Sequence, residues 1–172
     1  MISGNVSYCQ YCRTLGVDDI HKQYHDFEYG KITRDDRQLF ERLSLEIFQA
    51  GLSWHIVLKK RPFLNNAFDY FDIEKVAFYK DSKIQELLED KLIIRHRLKI
   101  LAIIYNAHEI LKIQESFGSF FNWLEENRGK TLIEWTKLLK KNFKFVGTEI
   151  ANEFLKSAGL IAGAHDEDCY IK

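Results

Sequence analysis

Long apolar runs are missing from this chain. None approaches the ~20 residues of a membrane span, so no transmembrane anchor is expected. The opening stretch, MISGNVSYCQYC, lacks the basic and extended apolar regions of a secretory signal. Cysteine is scarce: three residues, an odd count, argue against a disulfide framework and for a reducing cytosol, so the expected localisation is cytoplasmic. Net charge is missing too, because 25 Lys and Arg balance 25 Asp and Glu. Bulk charge therefore does not announce a nucleic-acid partner, which would need a local basic patch. There is no internal repeat and no low-complexity segment. No alternating run of period two with hairpin turns occurs, which excludes a sizeable sheet. What is present is apolar and aromatic side chain, 46% and 14% of 172 residues. That supports one helical domain, all-α, with a substantial core.

The helical periods are easy to place. Asp35 or Asp36 caps a helix whose apolar positions are Leu39, Phe40, Leu43 and Ile47. Gly51 ends it, and Ser53 caps the next, from Trp54 to Lys60. Pro62, the one proline, sits where a first helical turn tolerates it. Asp72 and Ser82 read as further caps. Arg95 to Gln114 reads as a long amphipathic helix with Leu98, Leu101, Ile104, Tyr105 and Leu111 on one side. Gly118-Ser119 punctuates, and Phe120 to Asn127 makes a short helix. Residues 1–8 are expected to be poorly ordered.

The last third has the clearest grammar. Thr131 and Glu134 make a capping-box pattern ahead of LIEWTKLLKKN. Thr148 can cap a helix from Glu149 to Ala158. Between them lies Phe143-Lys144-Phe145-Val146-Gly147, so residues 131–158 read as helix, tight turn, helix. A glycine entering a helix offers free N–H groups that favour a phosphate. Lys137, Lys140, Lys141 and Lys144 add positive charge nearby. From pattern alone, a plain αα turn with a solvated lysine face is the commoner meaning. Lys59, Lys60 and Arg61 form a second basic cluster, and Arg95, His96 and Arg97 a third.

Two Cys and two His are a common tetrahedral zinc set. His165 and Cys169 are four apart, on one helix face or in one loop. His25 and Cys12 lie near the other end, and Cys9-x-x-Cys12 offers a competing pair. A buried cysteine is otherwise usually a small hydrophobe.

Leu45 to Arg61, LEIFQAGLSWHIVLKKR, carries the most chemistry. Glu46 is an acid on a mostly apolar helix, which is costly to bury. Trp54 offers a flat face that attracts cations and stacks on planar rings. Alone, a Trp is more often core than platform. Around Gln49-Ala50-Gly51 the pair reads as a pocket for a flat, electron-poor ligand that donates hydrogen bonds.

Tyr24-His25-Asp26, Leu45 to Arg61, Ile93 to Arg97 and Phe143 to Thr148 together resemble the 3-methyladenine DNA glycosylase I family of base-excision repair enzymes. The resemblance runs in order from Cys12 to Cys169. It implies a single helical domain with a helix-hairpin-helix element and zinc-clipped termini. The implied activity is hydrolysis of the N-glycosidic bond of 3-methyladenine in alkylated double-stranded DNA by a monomer. The implied base-binding residues are Tyr24, Glu46, Trp54, His21 and Thr14, with Glu46 as the catalytic carboxylate. Lys144, Gly147 and Thr148 would hold the DNA backbone. One structural zinc would be held by Cys12, His25, His165 and Cys169, leaving Cys9 without a role. The chain departs from the family at Thr14 and His21, where aromatics are usual, and at Tyr29, where a Trp is usual. A less aromatic pocket opens an alternative: a non-catalytic relative that binds DNA and alkylated bases but no longer excises them. His55, His96 and His108 read as surface or core histidines.

Overall fold

The computed structural model describes residues 6–171, and among these it contains ten α-helices and no strand. The expectation of poor order over residues 1–8 falls largely outside the described residues. From Ser7 onward the chain is in place, because Ser7 closes a capping box on α1 (Tyr8–Arg13). Asp19 caps α2 (Ile20–Phe27), and Asp35 caps α3 (Asp36–Gln49). Ser53 caps α4 (Trp54–Ala67). Each cap satisfies amide donors that the first helical turn cannot pair internally.

The helix expected to stop at Lys60 instead runs through Pro62 to Ala67. The ring lies on the exposed side. It removes one hydrogen-bonded rung from a helix whose inner face, Val57, Leu58 and Leu64, is buried. Then follow α5 (Ile73–Ala77), capped by Asp72, and α6 (Asp81–Glu89). The cap position of α6 is Lys80, with no side-chain bond, rather than Ser82.

The long helix α7 (Arg97–Phe117) buries a different face from the one its sequence suggested. Ile100, Ile103, Ile104, Ala107 and Ile110 are inside, whereas Leu98, Leu101 and Tyr105 are exposed. Both stripes have helical spacing. The isoleucine stripe wins because α3, α5 and α6 dock on it. α8 (Phe120–Glu126) starts where the Asp36 carboxylate accepts the Phe120 and Phe121 amides at 2.7 and 2.9 Å.

The capping box of Thr131 and Glu134 opens α9 (Leu132–Asn142). It is followed by α10 (Thr148–Ser157), whose cap position is Gly147, not Thr148. No side chain caps that end, so its first amides face outward unpaired by a cap. Between the helices Phe145 is left-handed (φ 59°). That strained residue is braced by Asn106 of α7, which is fully buried. Its Oδ1 accepts the Lys144 amide at 2.7 Å, and its Nδ2 donates to the Lys144 carbonyl at 3.2 Å. α10 packs on both α9 and α3, which brings the hairpin's second helix beside the helix that carries Glu46.

Candidate active site and metal centre

A cavity of about 740 Å³ opens between α1, α2, the α3–α4 turn and α10. Thr14, His21, Tyr24, Glu46 and Trp54 all line it. The turn between the acid and the indole is held from below by Lys99. Its buried ammonium donates to the Phe48 and Ala50 carbonyls at 2.9 and 2.5 Å. Those carbonyls end α3 and have no helical partner. Gly51 then turns with φ 83°, and Ser53 restarts the chain as α4.

Glu46 is buried, and among the described residues no protein group donates a hydrogen bond to it. Burial, and secondarily the charge of Glu153, pushes its carboxyl up to about 8. Half-buried Trp54 meets the edge of Tyr24, ring centroids 5.1 Å apart and planes at 60°. Tyr24 is buried deeply enough that its hydroxyl is held well above the ordinary phenol range, first by desolvation and then by Glu46. An unpartnered acid beside an aromatic wall is suited to a flat ligand that brings both positive charge and donors.

The aromatic lining is fuller than the Thr14 and His21 substitutions suggest. Tyr8, Tyr11 and Tyr29 also face the cavity. Tyr8 and Tyr11 come from α1, a short helix whose register against the pocket the periodicity did not reveal. His21 stacks on His55, centroids 5.2 Å apart and planes 9° apart. His21 Nε2 is 3.1 Å from His55 Nδ1, and the Tyr8 hydroxyl is 3.2 Å from His21 Nδ1. Burial, then the neighbouring His55, holds His21 below the usual imidazole range. His55 is therefore part of the cavity rim and not an isolated surface histidine.

One helical turn along α2 from His21 lies the cysteine–histidine group. Cys9, His25, His165 and Cys169 bring their donor atoms within 4.8 Å of one another. Cys9 takes the place expected of Cys12. The two are one helical turn apart, and docking of the C-terminal loop decides between them: the Asp166 amide donates to Cys9 Sγ at 3.4 Å, and Ser7 hydrogen-bonds the Asp166 carboxylate. Cys12 is buried elsewhere, its thiol 3.7 Å from the His21 carbonyl.

The spacing of the four donors fits a tetrahedral metal. His25 Nε2 and His165 Nδ1 are 3.2 Å apart, and the sulfur–nitrogen separations run from 3.3 to 3.7 Å. Zinc with ordinary Zn–N and Zn–S bonds gives edges of about 3.3 and 3.6 Å. The remaining ring nitrogens are engaged as ligand histidines require. His25 Nδ1 faces Asp26 Oδ1 at 2.8 Å, which also accepts the Tyr170 hydroxyl at 2.6 Å. His165 Nε2 donates to the Tyr29 carbonyl at 2.8 Å. Gly30 (φ 75°) permits this approach, since a β-carbon there would sit 2.8 Å from Ala164 Cβ and 3.1 Å from the His165 ring.

The basic clusters separate into used and free charge. Arg61 is not available at the surface: it is bidentate to Glu28 at 2.7 Å and also bonded to Glu41. Lys60 donates to the Leu92 carbonyl at 2.7 Å. Lys137, Lys140, Lys141, Lys144 and Thr148 are exposed around the hairpin, and Gly147 is half-buried.

Residues 14–137 match the family model described as methyladenine glycosylase. The chain belongs to the methyladenine glycosylase family. It is 37% identical to DNA-3-methyladenine glycosylase 1 of Escherichia coli, over 87% of this chain and 90% of that protein. It is 35% identical to DNA-3-methyladenine glycosylase of Haemophilus influenzae, over 94% and 97% of the two chains. Among solved structures, 3-methyladenine DNA glycosylase I of Staphylococcus aureus superposes with a TM-score of 0.84 at 33% identity, covering 95% of this chain and 97% of that one. A variant of 3-methyladenine DNA glycosylase I in complex with 3-methyladenine superposes with a TM-score of 0.81 at 34% identity, over 90% and 93%. Family and fold are thus shared along nearly the whole length.

Proposed function

We propose that this chain is a DNA-3-methyladenine glycosylase that removes 3-methyladenine from alkylated DNA. The observation that carries the reading is the cavity in which buried, unpartnered Glu46 lies alongside Trp54 and Tyr24. A ring-methylated adenine in DNA is a flat cation with amino donors on its edge. Trp54 stacks on it, and Glu46 accepts from its edge and balances its charge. Tyr24 supports the stack, while His21 and Thr14 border the mouth.

The chemistry asks little of the protein. Water adds to the sugar carbon, the bond from that carbon to the base nitrogen breaks, and the base leaves as a neutral molecule. One proton is released to solvent. Because the leaving group is already activated by its charge, extrusion from the stack and recognition supply much of the selectivity. Glu46 serves by holding the cationic base in the reactive pose: burial raises its proton affinity, and the positive charge of the base favours its ionised form.

Cys9, His25, His165 and Cys169 hold one structural zinc, four protein ligands leaving no position for an activating water. Bound there, the metal supplies a rigid cross-link and no chemistry at the sugar. The uncapped start of α10, with Gly147, Thr148 and Lys144, grips a DNA phosphate without reading sequence.

The test is release of free base from methylated duplex DNA. Wild-type protein releases 3-methyladenine, and Glu46→Ala of unchanged helical content releases at least ~100-fold less. Folded wild type that binds the free base yet releases none is instead the non-catalytic relative.

A further inference from the structure

One acid of the cavity has no part in the chemistry above. Glu153 lies on α10, the helix after the hairpin, and lines the same cavity as Glu46. Its two oxygens are held separately. Oε2 accepts the Tyr29 hydroxyl at 3.3 Å. Oε1 accepts Asn152 Nδ2 at 3.1 Å and pairs with Lys156 Nζ at 3.2 Å. Tyr29 stands where the family resemblance led us to expect a Trp, and it presents its hydroxyl to this carboxylate. The two acids approach closely enough that the charge of Glu153 raises the proton affinity of Glu46.

We propose that Glu153 is a second carboxylate of the base pocket, a specificity-determining residue that makes the cavity favour a positively charged base over the same base once neutral. The inference rests on the reading of the cavity as a base site. Two ionised acids facing one cavity repel each other when it holds no cation. A cationic guest relieves that repulsion and interacts with both, whereas a neutral guest relieves nothing. The lesion in DNA is cationic and the excised product is neutral. Glu153 therefore strengthens capture of the lesion without strengthening retention of the product. Lys156 limits the effect by neutralising part of the charge, and buried Arg42, which donates to the Lys31 and Ser157 carbonyls at 2.7 and 2.6 Å, adds a second positive group behind the wall.

The experiment measures binding of two small probes by calorimetry at mildly alkaline pH: neutral 3-methyladenine, and 3,9-dimethyladeninium, a permanent cation with a methyl group in place of the sugar. In wild type the cation binds more tightly. Glu153→Gln weakens the cation by about three- to tenfold and leaves the neutral base within about twofold. Lys156→Met, which frees the Glu153 charge, moves the ratio the other way. Equal losses for both probes, or no change for either, would overturn the assignment, since a residue that only props Tyr29 affects both guests alike. Wild type that binds neither probe removes the base-site reading itself, and the inference with it. Wild type that binds 3-methyladenine but shows no Glu153-dependent cation preference removes the inference alone.

Discussion

Tyr24 and His25 are neighbours on one helix, yet they serve two sites built on opposite principles. His25 joins a group whose members each have their other polar atom satisfied: by Asp26 and Tyr170 on one side, by the Tyr29 carbonyl on the other. Tyr24 joins a cavity whose central acid has no donor among the described residues and whose affinity for the proton is raised by burial. The first arrangement is complete and rigid. The second is left incomplete in a way that only a cationic donor can complete. The complete site supports the incomplete one, because the tail it holds packs His165 under Tyr29, and α1 places both Cys9 and Tyr8.

The contrast breaks most visibly at the metal group. Cys9→Ser is expected to reduce bound zinc from about one per chain to none and to lower the melting temperature by roughly 10 °C or more. Cys12→Ser keeps the zinc and costs far less, as read by metal analysis and thermal melts. Retention of zinc in the first variant and loss in the second would reverse the assignment of ligands.

Glu46→Gln removes the acid of the incomplete site. A carboxyl whose folded affinity for the proton exceeds its unfolded one binds more protons when folded. Its presence therefore lowers stability as pH rises from about 4.5 to about 8, beyond which the loss is complete. The glutamine variant lacks that loss. It should be more stable than wild type at pH 8 by on the order of 4 kcal/mol at most, with little difference at pH 4, in denaturant titrations. The gain in stability accompanies the loss of base release. A wild-type stability that does not fall across this range would mean that Glu46 is ionised in the cavity.

Smaller effects follow at the periphery of the cavity. Trp54→Ala should weaken binding of 3-methyladenine by ~1–3 kcal/mol, the size of one stacking platform, measured by calorimetry. A variant that binds as well as wild type would make Trp54 core and not platform. Smallest is Lys144→Ala. It should weaken duplex binding about equally for all sequences and reduce the slope of log affinity against log salt by about 1. An unchanged slope would place the phosphate contact elsewhere.

The helical grammar was legible in the sequence because it is local. Capping residues Asp35, Ser53, Asp72 and Thr131 act within three or four residues of themselves, and each caps as its pattern implies. Glu46, Trp54 and Tyr24 were also visible, since an acid and two aromatics in apolar helices stand out. Their gathering into one cavity with His21 and Thr14 agrees with that reading. The contribution of Glu153 was not visible. It is one acid among many on an exposed-looking helix, and its importance comes only from α10 lying against α3. Arg61 illustrates the reverse: a residue that looked like free surface charge is consumed by Glu28 and Glu41 from two other elements.

The chain's order of apolar, capping and acidic residues thus determined by itself that the protein is helical, where most helices begin, and which family chemistry it carries. The tertiary structure alone decided between Cys9 and Cys12, between the two apolar stripes of α7, and whether Glu153 shares a cavity with Glu46. Each of these is a choice between residues one helical turn or one helix face apart, equivalent within their own helix. Only the docking of a distant segment, with the close packing and electrostatics it imposes, makes them different.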